Sequence, residues 1–191
     1  MNTDYTDLDP GEFAQAAAQA IADAQTRGFR EAARVLAAAG LCGVCAHEDA
    51  GGLGLGIAFA LPIVAQAGQL RLRWPLLETI LIAKALGDSP LAAELADGAR
   101  VATWALQGSL ADPLAGHARH ARDSDWVLVA DGRGGAALLD LRSVEVQDDA
   151  ALDPESPQSW IALQGARVLA TLDAATFATL QRDGQILVAA F

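Results

Sequence analysis

Five alanine- and leucine-rich stretches in the first hundred residues each run into a glycine, and this punctuation constrains the fold more than any other feature. Glycine reaches the left-handed backbone conformation without steric cost and so closes helices, while proline and short polar residues open them. "DPGEFAQAAAQAIADAQTRG" has Asp9 as N-cap, Pro10 at the first helical position and Gly28 as its stop, with Phe13, Ala17, Ala20, Ile21 and Ala24 on one face. "FREAARVLAAAG" places Phe29, Ala33, Leu36 and Ala37 on a stripe and ends at Gly40. "IAFALPIVAQAG" ends at Gly68, "PLLETILIAKALG" runs from Pro75 to Gly87, and "DSPLAAELADG" opens at Asp88 or Ser89 and stops at Gly98. Five helices with short links predict an all-α unit over residues 1–99.

The texture changes at Arg100. "VATWAL" and "DWVLVAD" read as strands, "DGRGG" as a hairpin turn into "AALLDLRSVEVQ", and "WIALQGARVLATL" as one or two strands more. "DDAALDPESPQS" is a loop rich in acids and proline. From Asp173 the helical pattern returns in "DAATFATLQRDGQILVAAF", where Gly184 weakens the helix without ending it. The predicted class is α+β: an all-α N-terminal helical domain (1–99), a small antiparallel β domain (100–172) and the start of a C-terminal helix (173–191).

Charge narrows the function classes. The 191 residues carry 24 acids against 13 lysines and arginines, a net charge of -11, which argues against nucleic-acid backbone or anionic membrane as partner. "MNTDYTDLDPGEF" has neither the basic nor the apolar region of a signal peptide, and the most apolar window, "GIAFALPIVAQAG", is too short to span a bilayer. The expectation is a soluble, cytoplasmic protein.

Motifs with chemical meaning fail on register. In "GGLGLG" the third glycine of a dinucleotide fingerprint falls on Ile57 or Phe59, and the stretch follows a helix where that motif needs a strand. "HEDAG" has Gly51 where a zinc protease helix needs its second histidine. "CGVC", with Cys42 and Cys45, follows a helix and lacks further zinc ligands, so the pair reads as two small buried side chains in a turn. His117 and His120 in "GHARHARD" could share a helical face, but a solvated surface segment is the favoured reading. Ser109 and Ser124 lie near these histidines without a nucleophile-elbow context.

"AARVLAAAGLCGVCAHEDAGGLGLGIAFALPIVAQAG" nevertheless resembles the N-terminal domain of acyl-CoA dehydrogenases. There a helix runs into a leucine-glycine turn, a proline-glutamate segment, Gly-Gly-Leu-Gly and a further helix. Leu41 and Gly43 occupy the turn, His47 replaces the proline, Glu48 keeps the acid, and Gly51, Gly52, Leu53 and Gly54 are intact. "WPLLETILIAKALG" is similar to a stretch of the more divergent members, and "LADGARVATWAL" to the step from the last N-terminal helix into the first strand. The resemblance implies a helical domain, a β domain and a C-terminal helical domain, with FAD as cofactor and an acyl-CoA thioester as substrate.

The departures bear on function. The family's flavin-contacting loop, threonine-glutamate-proline ending in Gly-Ser-Asp, maps by position onto Leu106, Gln107, Gly108 and Ser109, and the motif itself is lost. The strand that follows it, and a tryptophan-centred segment covering the flavin, are expected to be deleted, so that "LADPLAGHARHARDSDWVLVA" passes almost directly to the later strand. The glutamate base belongs to the C-terminal helical domain, which would begin where this sequence stops. No catalytic residue and no metal ligand is assigned. Two readings follow: a subunit or piece of a flavin-dependent dehydrogenase completed by an acyl-CoA dehydrogenase homologue or a second copy, or a flavin-free scaffold that stabilises an active relative. A free-standing acyl-CoA or lipid-binding module is a third, disfavoured because no cluster of lysine or arginine stands out.

Overall fold

The computed structural model describes residues 9–149 and 156–191. The first eight residues, and residues 150–155 of the acidic loop, lie outside the described residues. The helices are α1 (Glu12–Ala24), α2 (Phe29–Ala38), α3 (Ile57–Gln69), α4 (Leu76–Ala85), α5 (Pro90–Ala96) and α6 (Ala174–Val188). The strands are β1 (Ala102–Ser109), β2 (Leu114–Arg119), β3 (Trp126–Ala130), β4 (Ala136–Asp140), β5 (Val146–Asp148), β6 (Gln158–Ala162) and β7 (Val168–Leu172). Among the described residues no helix is long and apolar enough to cross a membrane.

The glycine punctuation sets most helix ends. Gly40, Gly87 and Gly98 follow α2, α4 and α5 with φ of 74°, 61° and 73°. Ser89 caps α5 by accepting from the Leu91 amide, and Asp173 caps α6 by accepting from the Thr176 amide. The first helix departs from expectation at both ends. Asp9 Oδ1 accepts from the Gly11 amide at 2.9 Å, holding a turn, and regular helix starts only at Glu12. The helix stops at Ala24, and Gly28, extended at ψ 158°, opens α2 instead of closing α1.

Helix α4 is the centre of the helical layer. Every residue from Leu76 to Ala83 is buried, as expected for a helix packed on all sides. The two polar side chains within this buried run are both partnered: Thr79 Oγ1 donates to the Ala102 carbonyl at 3.1 Å and Glu78 pairs with Arg119.

Among the described residues seven strands form one sheet in the order β5-β6-β2-β1-β3-β4-β7. The sheet is mixed, which corrects the antiparallel expectation. β2 turns back antiparallel on one side of β1, and β3 then lies on the other side. Two reversals of direction leave β3 parallel to β1. β2 also corrects the expected deletion, because a paired strand stands where the chain was expected to pass directly to Trp126.

Strands β3 and β4 are buried on both faces. Trp126, Leu128, Ala136 and Leu138 join the helices in the larger core, while Val127, Val129, Ala137 and Leu139 pack into a second core beneath the sheet. The Asp131–Gly135 turn joins them, with Asp131 Oδ1 accepting from the amides of Arg133 and Gly135.

Helices and sheet are tied together at Asp125, which is 4% exposed. Arg30 of α2 donates to it at 2.5 and 3.1 Å, Arg100 at 3.1 Å, and the Val101 amide at 2.9 Å.

Candidate functional site

A cleft of about 560 Å³ opens between α4, β1, β2 and α6. Leu77 and Glu78 come from α4, Trp104 and Leu106 from β1, Arg119 from β2, and Gly184 and Val188 from α6. Alternation along β1 sends Trp104 and Leu106 to the same face. Trp104 stacks edge-on against Phe177 at 5.9 Å. A Cβ on Gly184 would stand 3.3 Å from the Trp104 ring, so the glycine lets α6 pass close over the indole. Leu106 is 68% exposed and Val188 64%, leaving the cleft with an accessible apolar wall.

Among the described lining residues the charged element of the cleft is one ion pair. Arg119 Nε donates to Glu78 Oε1 at 2.9 Å and its Nη2 to Oε2 at 3.3 Å. The guanidinium also lies 5.3 Å from the centre of the Phe191 ring. Gln181 and Gln185 of α6 supply the remaining polar groups. Glu78 is the cleft's carboxylate, and its bonds to Arg119 occupy both oxygens. The site can therefore hold an apolar group against Trp104 and Leu106 and present amide and guanidinium donors to a polar end.

The four positions singled out by resemblance lie at the end of β1. Between Trp104↔Leu128 and Ser109↔Ala130 the register shifts, five residues of β1 spanning two of β3. Such bulges re-aim side chains. Leu106 faces the cleft; Gln107 pairs opposite Gly116 of β2. Gly108 has φ 84° and lies under the Leu114 carbonyl, where a Cβ would come to 2.7 Å. The Ser109 amide and hydroxyl both donate to Asp112 Oδ2, at 2.8 and 2.9 Å. The indole face of Trp104 and the apolar Leu106 beside it suit a ring system, but a diphosphate does not fit at this strand end. Ser109 has its donors engaged, and the Asp112 carboxylate would repel an anion.

The histidine pair is not a shared face. His117, on β2, is exposed and lies 2.9 Å from Gln158 Oε1, whereas His120 is buried in the following turn against Phe29. Both have φ near 54°, so the segment is strand and turn rather than an exposed helix or featureless surface. Burial, followed by the neighbouring Arg119 charge, lowers the His120 pKa. Among the described residues no group of three or more His, Cys, Asp or Glu is placed to hold a metal.

The "CAHEDAGGLGL" stretch is a tightly bonded corner away from the cleft. Glu48–Ala50 form a single 3-10 turn capped by His47 Nδ1, which accepts from the Asp49 amide at 3.2 Å. Leu53, Gly54 and Leu55 donate back to the carbonyls of Gly43, Ala46 and Val44. Cys42 and Cys45 are free thiols buried beside this corner. Burial raises their pKa values to about 12 and about 11, with Asp97 adding to the first, and Asp183 partly offsetting Lys84 at the second. Since the thiolate is the reactive form, neither should be alkylated by iodoacetamide at pH 8 in the native protein, and both should react in denaturant. Stoichiometric labelling of the folded protein would contradict this.

Sequence reading missed Glu78, Trp104 and Arg119. The available signal was Glu78 itself, a lone charge in the apolar run "PLLETILIA" that had to find a cationic partner once buried.

No family model matches the sequence, and no curated protein matches it. Solved structures do. A Tcur3481–Tcur3483 steroid ACAD variant aligns with a TM-score of 0.77 and 22% identity over 95% of this chain and 61% of its own. The ChsE4–ChsE5 complex from Mycobacterium tuberculosis aligns with a TM-score of 0.77 and 21% identity over 98% and 64%. Butyryl-CoA dehydrogenase from Megasphaera elsdenii aligns with a TM-score of 0.70 and 17% identity over 100% and 66%. The chain thus spans 61–66% of the length of these structures. Over 95–100% of its own length the chain is similar in fold to the corresponding part of acyl-CoA dehydrogenases.

Proposed function

We propose that this chain is a subunit or segment of a flavin-dependent acyl-CoA dehydrogenase system, completed by a partner of the same fold. The apolar cleft carries the reading: within an acyl-CoA dehydrogenase fold, α4, β1, β2 and α6 enclose a space of about 560 Å³ walled by Trp104, Leu106 and Val188. That volume lies within the ~300–1,000 Å³ of small-molecule sites. An acyl group would lie there, with Gln181, Gln185 and Arg119 facing its polar end. α,β-Dehydrogenation also needs a base at the α-carbon and a hydride acceptor at the β-carbon. Glu78 is held by Arg119, so the base comes from the partner or from further sequence, and FAD is shared with or carried by that partner. Two of the matching structures bear two-component names, ChsE4–ChsE5 and Tcur3481–Tcur3483, which supports a heteromeric assembly.

The scaffold reading draws on that same ion pair, since a cleft whose carboxylate is occupied performs no proton transfer. The two readings separate in one experiment. The chain is purified alone and with any acyl-CoA dehydrogenase homologue encoded beside it, and mass and visible spectrum are recorded. A colourless lone chain and a yellow, active complex are expected. Leu106→Arg in that complex should raise KM for acyl-CoA several-fold if the cleft holds substrate, and change nothing if the chain is a scaffold. Flavin bound by the lone chain would defeat the scaffold reading, and failure to join any homologue would overturn the proposal.

A further inference from the structure

His120 holds three separate parts of the chain together in the turn that follows β2. It is 5% exposed, and its ring centre lies 6.1 Å from that of Phe29, the first residue of α2. Phe29 in turn stands 6.0 Å from Trp74, whose Nε1 donates to the Phe29 carbonyl at 3.2 Å. The His120 amide donates to the Pro157 carbonyl at 2.9 Å, one step beyond the pairing of Arg119 with Gln158 that ends the β2–β6 ladder. Its carbonyl accepts from the Ser124 hydroxyl at 2.9 Å and from the Ser124 amide at 3.1 Å. The backbone of His120 has φ 53°. A residue with a side chain meets a steric cost there, so the turn keeps this conformation only while the stack and these bonds over-determine it.

The charges around the imidazole are unevenly matched. Arg119 precedes it on β2, Glu78 faces it from α4 and Asp123 from within the turn. Helix α2 presents the uncharged Phe29 ring, its Arg30 being turned to Asp125. On the Trp74 side Arg73 lines the same cavity as Arg119. Of the two carboxylates, Glu78 is already bonded through both oxygens to Arg119. Burial, followed by the Arg119 charge, outweighs Glu78 and Asp123 and holds His120 below the ordinary histidine pKa.

We infer that the His120 turn is a proton-operated latch on the cleft. With the imidazole neutral, the ring stays against Phe29 and Arg119 stays on Glu78. With the imidazole charged, the ring leaves Phe29 for water and draws the end of β2, with Arg119, away from Glu78. The closed turn is fully favoured above the unfolded histidine value of about 6.5 and loses ground as pH falls below it. Asp125 has a depressed pKa and stays ionised throughout that range. The latch does not depend on what the cleft binds.

The test follows 1H–15N spectra of the full-length chain from pH 7.5 to 5.5, as wild type, His120→Phe and His120→Asn. Phenylalanine keeps a ring against Phe29 and asparagine tolerates the left-handed backbone, so the comparison survives if one of them folds poorly. In wild type the His120 imidazole, the Ser124 amide and the Arg119 Nε–H should titrate with one midpoint below about 6.5. Corrected for intrinsic rates, the Ser124 amide should exchange several-fold faster at pH 5.5 than at pH 7.5. In either folded variant the midpoint should vanish from Ser124 and Arg119. The same midpoint persisting there would assign it to the exposed His47 or His117 and overturn the latch. An Arg119 Nε–H indifferent to the His120 titration, or a wild-type turn unchanged over this range, would overturn it as well.

Discussion

Asp125→Ala should destabilise the protein by about 2–4 kcal/mol, measured by urea unfolding at neutral pH. The carboxylate satisfies Arg30, Arg100 and the buried Val101 amide at once, and so links α2 and the α5–β1 step to the start of β3. Removing one member of a buried ion pair costs roughly 3–5 kcal/mol when the other charge stays buried. Here Arg30 and Arg100 are 51% and 32% exposed and can turn to water, which lowers the expectation. The Val101 amide cannot, and an orphaned buried donor alone costs about 1–3 kcal/mol. Asp125→Asn keeps an oxygen for that amide and should cost about half as much.

The same residue sets an acid limit. Burial by itself would raise the Asp125 pKa, but hydrogen bonds from Arg30, the Val101 amide and Arg100 outweigh it and hold the carboxyl below its ordinary value. A depressed folded-state pKa gives stability that is fully present above the unfolded value, about 3.9, and is lost as pH falls through the folded one. The stability gap between wild type and Asp125→Asn should therefore narrow on going from pH 7 to below pH 4. A gap independent of pH would show that the charge contributes nothing.

What could be read from the sequence, and what could not, divides along the range of the interactions involved. Gly40, Gly87, Gly98, Ser89 and Pro90 act within a turn of their own position, and the helix ends they predict are those observed. Gly28 failed because an extended glycine opens a helix as readily as a left-handed one closes it. β2 was missed because Gly116, His117 and Arg119 interrupt its apolar pattern; its pairing depends on β1 and β6, the latter far away in sequence. The site was hidden for the same reason. Leu106 could be placed by resemblance, but Glu78, Trp104 and Arg119 meet only when α4 packs against β1 and β2. Each looks ordinary alone: a helix glutamate, a strand tryptophan, one arginine among several.

Gly52→Ala is the substitution expected to distinguish a structural corner from a replaceable loop, and the expected cost is about 3 kcal/mol or more. A Cβ at Gly52 would overlap the Ala46 carbonyl oxygen and stand 2.5 Å from its carbon, well inside contact distance. That oxygen is not free to retreat, since it accepts from the Gly54 amide at 2.8 Å, while Leu53 and Leu55 are bonded to Gly43 and Val44 on either side. Relief requires backbone movement, and overpacking that moves backbone typically costs about 1–3 kcal/mol and more where the neighbours are fixed. Gly56 provides the control. It has φ -69°, and a Cβ added there would meet nothing within 4 Å, so Gly56→Ala should cost no more than the ~0.5–1 kcal/mol of a weakened helix N-cap. Equal melting temperatures for the two variants would mean that the Gly-Gly-Leu-Gly corner yields easily, and that its close backbone packing is not what holds the first helices in place.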